Sequence, residues 1–368
     1  MAEQKPATKE YLATPNITIE SGYNVRLLVP PGTFYDPLFP IAGAGDDIWL
    51  NDDGGEEEEG EGSAESATSG QSEAGGGIYC VDREGKVAPL VPVGKIPPPT
   101  AIDRAPSSFG SFAGHIFALT QPKKGWAGAT ENHTVLRMDP TNWEPIRFAE
   151  FPSAGTRGKG IAGAGVDLRF GPDGTAFAGR LFGVTLLNNS IYEVTPDGKA
   201  RAFVTMETAR PRQPVAITFA KIDGEDRMIA STPNGNFSPR RQVPSFATIT
   251  QITPDGRVLP EFIAEDLLAP SGLDYAPAGF GKYSGDLFVA DLGGMMPTPA
   301  PRDSAPPRLG RVLRVDKGGK THIFAEGFAT PMGLRFIGNR MIVCDVNGDY
   351  IGGGIELADG FVVEITAS

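Results

Sequence analysis

Leu287-Phe288-Val289-Ala290-Asp291 and, a little further on, Val312-Leu313-Arg314-Val315-Asp316-Lys317-Gly318-Gly319 decide how this chain is read. The first stretch is an apolar run closed by a polar residue, the pattern of a strand buried on both faces. The second alternates apolar with polar residues and runs into a glycine turn, the pattern of a half-buried strand entering a hairpin. Both recur along the chain. The apolar run returns as Ile48-Trp49-Leu50-Asn51-Asp52, Ile116-Phe117-Ala118-Leu119-Thr120, Ala176-Phe177-Ala178-Gly179-Arg180, Met228-Ile229-Ala230-Ser231-Thr232 and Met341-Ile342-Val343-Cys344-Asp345. Copies of the alternating run start at Ile78, Val135, Ile191, Ile249, Val312 and Val362, spaced by 57, 56, 58, 63 and 50 residues, so one period runs through the chain.

Each period holds a first strand entered at a Pro or Gly, the apolar second strand, the alternating third strand and a more polar fourth one such as Ala200–Val204 or Val258–Ile263. A unit of this kind cannot bury both of its faces alone, so the units stack radially around a channel. This predicts an all-β, six-bladed β-propeller of four-stranded antiparallel blades. The sixth unit runs out of chain after its third strand, while a spare strand-forming stretch, Asn16–Glu20 through Tyr23–Val29, precedes the first unit. Pairing the N-terminal strand with the C-terminal blade closes the ring and removes two exposed sheet edges. The expected organisation is a flexible arm over 1–15, a single propeller over 16–368, and an acidic Gly/Ser/Glu-rich disordered insertion at 52–77.

Composition agrees with many short strands, with 48 Gly and 33 Pro and only 21% charged residues. The net charge of −12 is mostly local, because residues 52–73 carry nine acids and no base, leaving −3 for the rest. The sequence has no basic stripe, which argues against nucleic acid and anionic membrane as partners. It has no apolar run of spanning length and no signal-like start, so a cytoplasmic location is expected, or a secreted one if an export signal has been removed. Cys80 and Cys344 sit in apolar strand-like runs and read as buried free thiols.

The connections between second and third strands are the long ones (52–77, 121–134, 233–248, 292–311, 346–361), so function is expected on the face they share, the top face. A ring of second-strand ends gathers there: Asp52, Thr120, Arg180, Thr232, Asp291 and Asp345, with Asn51, Asn234, Asn347 and Asp349 close by. Clustered carboxylates need water, a basic partner such as Arg180, or a cation between them. Oxygens from several loops suit Ca²⁺, whereas the sequence offers no Cys or His cluster for zinc. Of three histidines only His133 reaches the top face, and no Gly-x-Ser-x-Gly elbow or phosphate-binding glycine loop is present.

Gly281-Lys282-Tyr283-Ser284-Gly285-Asp286-Leu287-Phe288-Val289-Ala290-Asp291, with Arg311-Val312-Leu313-Arg314-Val315-Asp316, resembles the six-bladed propellers of the NHL, SMP-30/gluconolactonase and glucose/sorbosone dehydrogenase group. The resemblance covers nearly the whole chain as architecture. It implies a top-face channel, often with Ca²⁺ held by Asp, Asn and Glu, that opens or closes a lactone. Asp291 and Asp345, then Asn51 and Asn234, take the metal-ligand positions, while Asp36-Pro37-Leu38-Phe39-Pro40 has no Glu where lactonases of that type place one. The function so implied is a metal-dependent hydrolase of the lactonase or esterase type acting on a small molecule in the channel. Asp52, His133 and Arg180 are the candidate catalytic residues, Asp52 as general base. A non-catalytic binding propeller, a quinone-dependent sugar dehydrogenase and a lyase or isomerase are the alternatives.

Overall fold

The computed structural model describes residues 14–54, 76–120, 132–151, 165–185, 189–206, 213–233, 247–262, 267–292, 310–347 and 358–368. They form six antiparallel blades in which neighbours in sequence are neighbours in the sheet. Blade 1 is Ile41–Ala42, Ile48–Asp52, Gly77–Val81 and Val87–Val91; blade 2 is Pro99–Arg104, Ile116–Thr120, Thr134–Met138 and Ile146–Glu150. Blade 3 is Gly165–Phe170, Leu181–Thr185, Ser190–Val194 and Ala200–Thr205; blade 4 is Ile217–Ile222, Glu225–Thr232, Thr248–Ile252 and Val258–Phe262. Blade 5 runs Pro270–Tyr275, Leu287–Asp291, Gly310–Val315 and Thr321–Phe328, and blade 6 opens with Pro331–Ile337, Arg340–Asp345 and Gly360–Ala367.

The fourth strand of blade 6 is Tyr23–Phe34, paired antiparallel to Gly360–Ala367 from Tyr23↔Ala367 to Phe34↔Gly360. The ring therefore closes as the sequence predicts. The N-terminal stretch is not one strand, however. Gly22, at φ +91°, turns the chain, and Thr18–Ile19 joins the outer edge of blade 5 as a fifth strand. Between the two pieces Glu20 meets Lys282 and Tyr283, and the Tyr23 hydroxyl donates to the Phe280 carbonyl at 3.1 Å. One short segment thus fastens two blades.

All six predicted third strands are present, and the glycine turns after them close as expected, with Gly85, Gly198, Gly256 and Gly319 at positive φ. The second strand of blade 3 is displaced from its predicted place. Ala176-Phe177-Ala178-Gly179-Arg180 is not a strand but the turn leading into Leu181–Thr185. The turn exists to bury Phe177, as the equivalent turns bury Phe109 in blade 2 and Phe280 in blade 5. These rings lie between blades, Phe109 against Phe117 and Phe170, Phe177 against Phe182 and Phe219, Phe280 against Phe288 and Phe336. Edge-to-face packing of this kind adds about 1 kcal/mol per pair beyond the area buried. Residues 43–47 turn between the first two strands of blade 1.

Asp52 and Gly77 are paired strand residues, so the acidic insertion begins and ends inside blade 1; residues 55–75 lie outside the described residues. Most of the other long top-face connections do too. Among the described residues, no helix is long and apolar enough to cross a membrane.

Candidate functional site at the top of the channel

Six residues end the second strands at the top face: Asp52, Thr120, Thr185, Thr232, Asp291 and Asp345. Blades 2, 3 and 4 use threonine, whose hydroxyl donates to the first carbonyl of the third strand, Thr120 to Thr134, Thr185 to Ser190 and Thr232 to Thr248. Blades 1, 5 and 6 use aspartate, and each carboxylate gathers two backbone amides just ahead of its own first strand, Asp52 and Asp345 adding one from two residues after themselves. Asp52 accepts from Tyr35, Asp36 and Gly54, Asp291 from Leu268 and Ala269, and Asp345 from Ala329, Thr330 and Asn347, at 2.7 to 3.3 Å. The residue that follows is a proline in each case, Pro37, Pro270 and Pro331, and it pairs with the aspartate across the blade. Proline has no N–H, so the amides before it carry the attachment.

This duty bears on the expected metal. The Asp291 carboxylate is also paired with Arg311 at 3.0 Å, whose guanidinium compensates its charge. Asn51 spends its side-chain amide on the Pro99 carbonyl at 2.5 Å, tying blade 1 to blade 2. Asn234 lies outside the described residues. Among the described residues, no three His, Cys, Asp or Glu side chains come together as a metal site. Asp52 is buried and its pKa is raised by that burial against the pull of its three amides. Its oxygens hold the chain, which does not suit a general base.

Arg180 is not in the ring. The five-residue displacement in blade 3 puts Thr185 there and leaves Arg180 at the opposite, bottom end of the strand. There it is paired with Glu193 at 3.0 Å, donates to the Pro254 carbonyl, and stacks on Phe182 and Phe203. Its role is to join blades 3 and 4.

His133 is at the top, as expected, immediately before the third strand of blade 2. It is only 1% exposed. Nδ1 lies 3.3 Å from the Thr120 carbonyl oxygen, which can only accept, so the proton sits on Nδ1. Nε2 then carries a lone pair, buried and without a partner. Burial pushes the pKa down to about 4, the Thr120 carbonyl opposing it, so the ring is neutral at pH 7. Asn51 Oδ1 is a second buried acceptor without a partner. The two belong to one connected stretch, since Asn51 holds Pro99, Pro99 pairs with Thr120, and Thr120 holds His133. Buried acceptors are rarely left unpaired unless something else supplies the donor.

Halfway down, the channel has a floor that the sequence reading missed. Arg335 of blade 6 crosses to blades 2 and 3, donating to Asp167 at 2.5 Å and to the carbonyls of Ile102 and Leu168, with Asp103 at 3.9 Å and the Phe39 ring beneath it. Arg169 pairs with Asp274 at 3.4 Å. The three aspartates also link neighbouring inner strands, Asp103 accepting from the Phe170 amide, Asp167 from Ile217 and Asp274 from Phe336. Burial raises the pKa of Asp103 and lowers that of Arg335, while Arg169, though buried, is held above its ordinary value by Asp274, Asp167 and Asp103. The first strands do carry Asp and Arg in sequence (Asp103-Arg104, Asp167 and Arg169), and that is the sequence signal of a polar channel lining.

No family model matches the chain, and no curated protein matches it in sequence. Solved structures do match in fold. The PQQ-bound aldose sugar dehydrogenase of Streptomyces coelicolor superposes with a TM-score of 0.56 at 16% identity, over 95% of this chain and 99% of that one. A provisionally assigned glucose dehydrogenase of Thermus thermophilus gives 0.56 at 15%, over 94% and 100%. A provisionally assigned gluconolactonase gives 0.51 at 12%, over 95% and 94%. At these identities the likeness is one of fold, a propeller scaffold shared by proteins described as dehydrogenases and as a lactonase.

Proposed function

We propose that this chain is a small-molecule hydrolase of the lactonase or esterase type, working at the top of the channel without a resident metal, with His133 as its proton acceptor. The single observation behind this reading is the His133 Nε2 lone pair, buried, neutral and fixed in tautomer by the Thr120 carbonyl. A histidine oriented through Nδ1 by a carbonyl presents the other nitrogen to a reacting group. In the reaction Nε2 takes a proton from water as the water oxygen bonds to the ester carbonyl carbon. The acyl C–O bond then breaks, and the imidazolium returns the proton to the departing alkoxide oxygen. In this reading Asn51 Oδ1, the second buried acceptor without a partner, takes a hydrogen bond from a substrate hydroxyl. The structural likeness to a protein assigned as a gluconolactonase is in keeping with this reading but does not carry it.

A panel of lactones and aryl esters tests it. Hydrolysis by the purified chain should fall about 10²-fold in His133→Gln and be unchanged by EGTA. Absence of hydrolysis across the panel, or a His133→Gln variant as fast as wild type, overturns the proposal. Loss of the rate in EGTA would return the metal to the mechanism.

A further inference from the structure

Beneath the floor a cavity of about 320 Å³ opens at the bottom mouth of the channel, between the inner strands of blades 2 to 5. It shares no residue with the top-face site. Asp103, Arg104, Arg169 and Asp274 line it together with the apolar side chains of Phe170 and Phe219. The volume is at the small end of the range for small-molecule sites, and convergent polar groups against aromatic walls are what such sites share.

We propose that this cavity binds a compact, uncharged polyhydroxylated molecule, a polyol or monosaccharide. The argument is one of charge arrangement. Two carboxylates and two guanidinium groups line the cavity, so its formal charge balances. Each carboxylate also has a guanidinium nearby, Arg169 paired with Asp274 at 3.4 Å and Arg335 standing 3.9 Å from Asp103. An anion or a cation entering here would lose its hydration and meet equal numbers of like and unlike charges, and a zwitterion would find no separated poles. A polyol suffers neither penalty. Its hydroxyls donate to carboxylates and accept from guanidinium groups, and its C–H face packs on the phenyl rings. Arg104 is the residue through which the site can be probed. It is half-exposed, its guanidinium lies over the Trp49 ring at 4.5 Å and donates to the Ala42 carbonyl, and it takes no part in the floor.

Calorimetry and saturation-transfer NMR on the full chain, with xylitol and D-glucose as probes and succinate and alanine as controls, test this. One polyol should bind saturably with a Kd below about 10 mM, the controls more weakly. Arg104→Met, which removes the guanidinium donors and the guanidinium contact with Trp49 but keeps an apolar chain of similar length, should weaken binding about tenfold or more, while His133→Gln should bind as wild type. If Arg104→Met does not fold, Arg104→Lys is compared in its place and should weaken binding several-fold. Failure of both polyols to bind, tighter binding of a control, or wild-type binding by the Arg104 variant overturns the proposal. Binding lost in His133→Gln but kept in the Arg104 variant would locate the polyol at the top face, which overturns it equally.

Discussion

His133 has to satisfy two opposing demands, burial and basicity, and its titration records the balance. In the unfolded chain the imidazole has its ordinary pKa of 6.5, in the fold about 4. Between those values the unfolded chain binds a proton that the folded chain does not, so stability falls as pH drops through that window and is fully present above it. The loss amounts to about 3 kcal/mol. Urea denaturation from pH 7 to pH 4 should show this slope in wild type and a shallower one in His133→Gln; equal slopes would mean that the ring is not buried neutral. The top-face aspartates behave differently. Asp345→Ala leaves three backbone amides without an acceptor and should cost about 3 kcal/mol or more, with Asp345→Asn costing less because one oxygen remains. A variant as stable as wild type would show that the amides find other partners. An aspartate closing an apolar strand was legible in the sequence at Asp52, Asp291 and Asp345. Whether its oxygens face a cation or their own backbone was not, because sequence spacing does not say what stands opposite a side chain.

At the level of elements, the blade 3 displacement shows which local signals hold. Ala176-Phe177-Ala178 has the hydropathy of a strand, but its phenyl ring is an anchor in a turn, and hydropathy cannot separate the two. A second signal fixes the register. Gly114-His115, Gly179-Arg180 and Gly285-Asp286 each stand immediately before a second strand, with the glycine at φ +83°, +72° and +85°. A residue with a side chain is strained in that region, so the glycine marks the end of the turn and the strand starts two residues later. Phe177→Ala should cost about 3–5 kcal/mol, measured by denaturation, as loss of a fully buried ring between two blades. Arg180→Met should lower stability while leaving any hydrolysis rate within about twofold, because it stands at the bottom of blades 3 and 4. A large loss of rate with unchanged stability would restore Arg180 to the site.

For the whole molecule, closure and the channel floor are the two properties that belong to the ring and to no single blade. Removing residues 1–20 takes Thr18–Ile19 from the edge of blade 5 and Glu20 from Lys282 and Tyr283, and should cost a few °C in Tm. Removal through Phe34 strips blade 6 of its fourth strand, exposes a sheet edge, and should give an aggregating or unfolded chain by gel filtration and circular dichroism. Arg335→Leu should destabilise by about 3–5 kcal/mol, since it leaves Asp167 and Asp103 buried without their cation. Strand pattern, blade number and the need for closure were all determined by the sequence alone, because hydrophobic alternation and turn chemistry act over a few residues and repeat. The floor was decided only in three dimensions. Arg335 meets the Ile102 carbonyl across 233 positions of chain, and the inner strands reach the same axis only after the ring has closed. Side chains on that axis are matched by the geometry of the circle, and no neighbour in sequence reveals their partners.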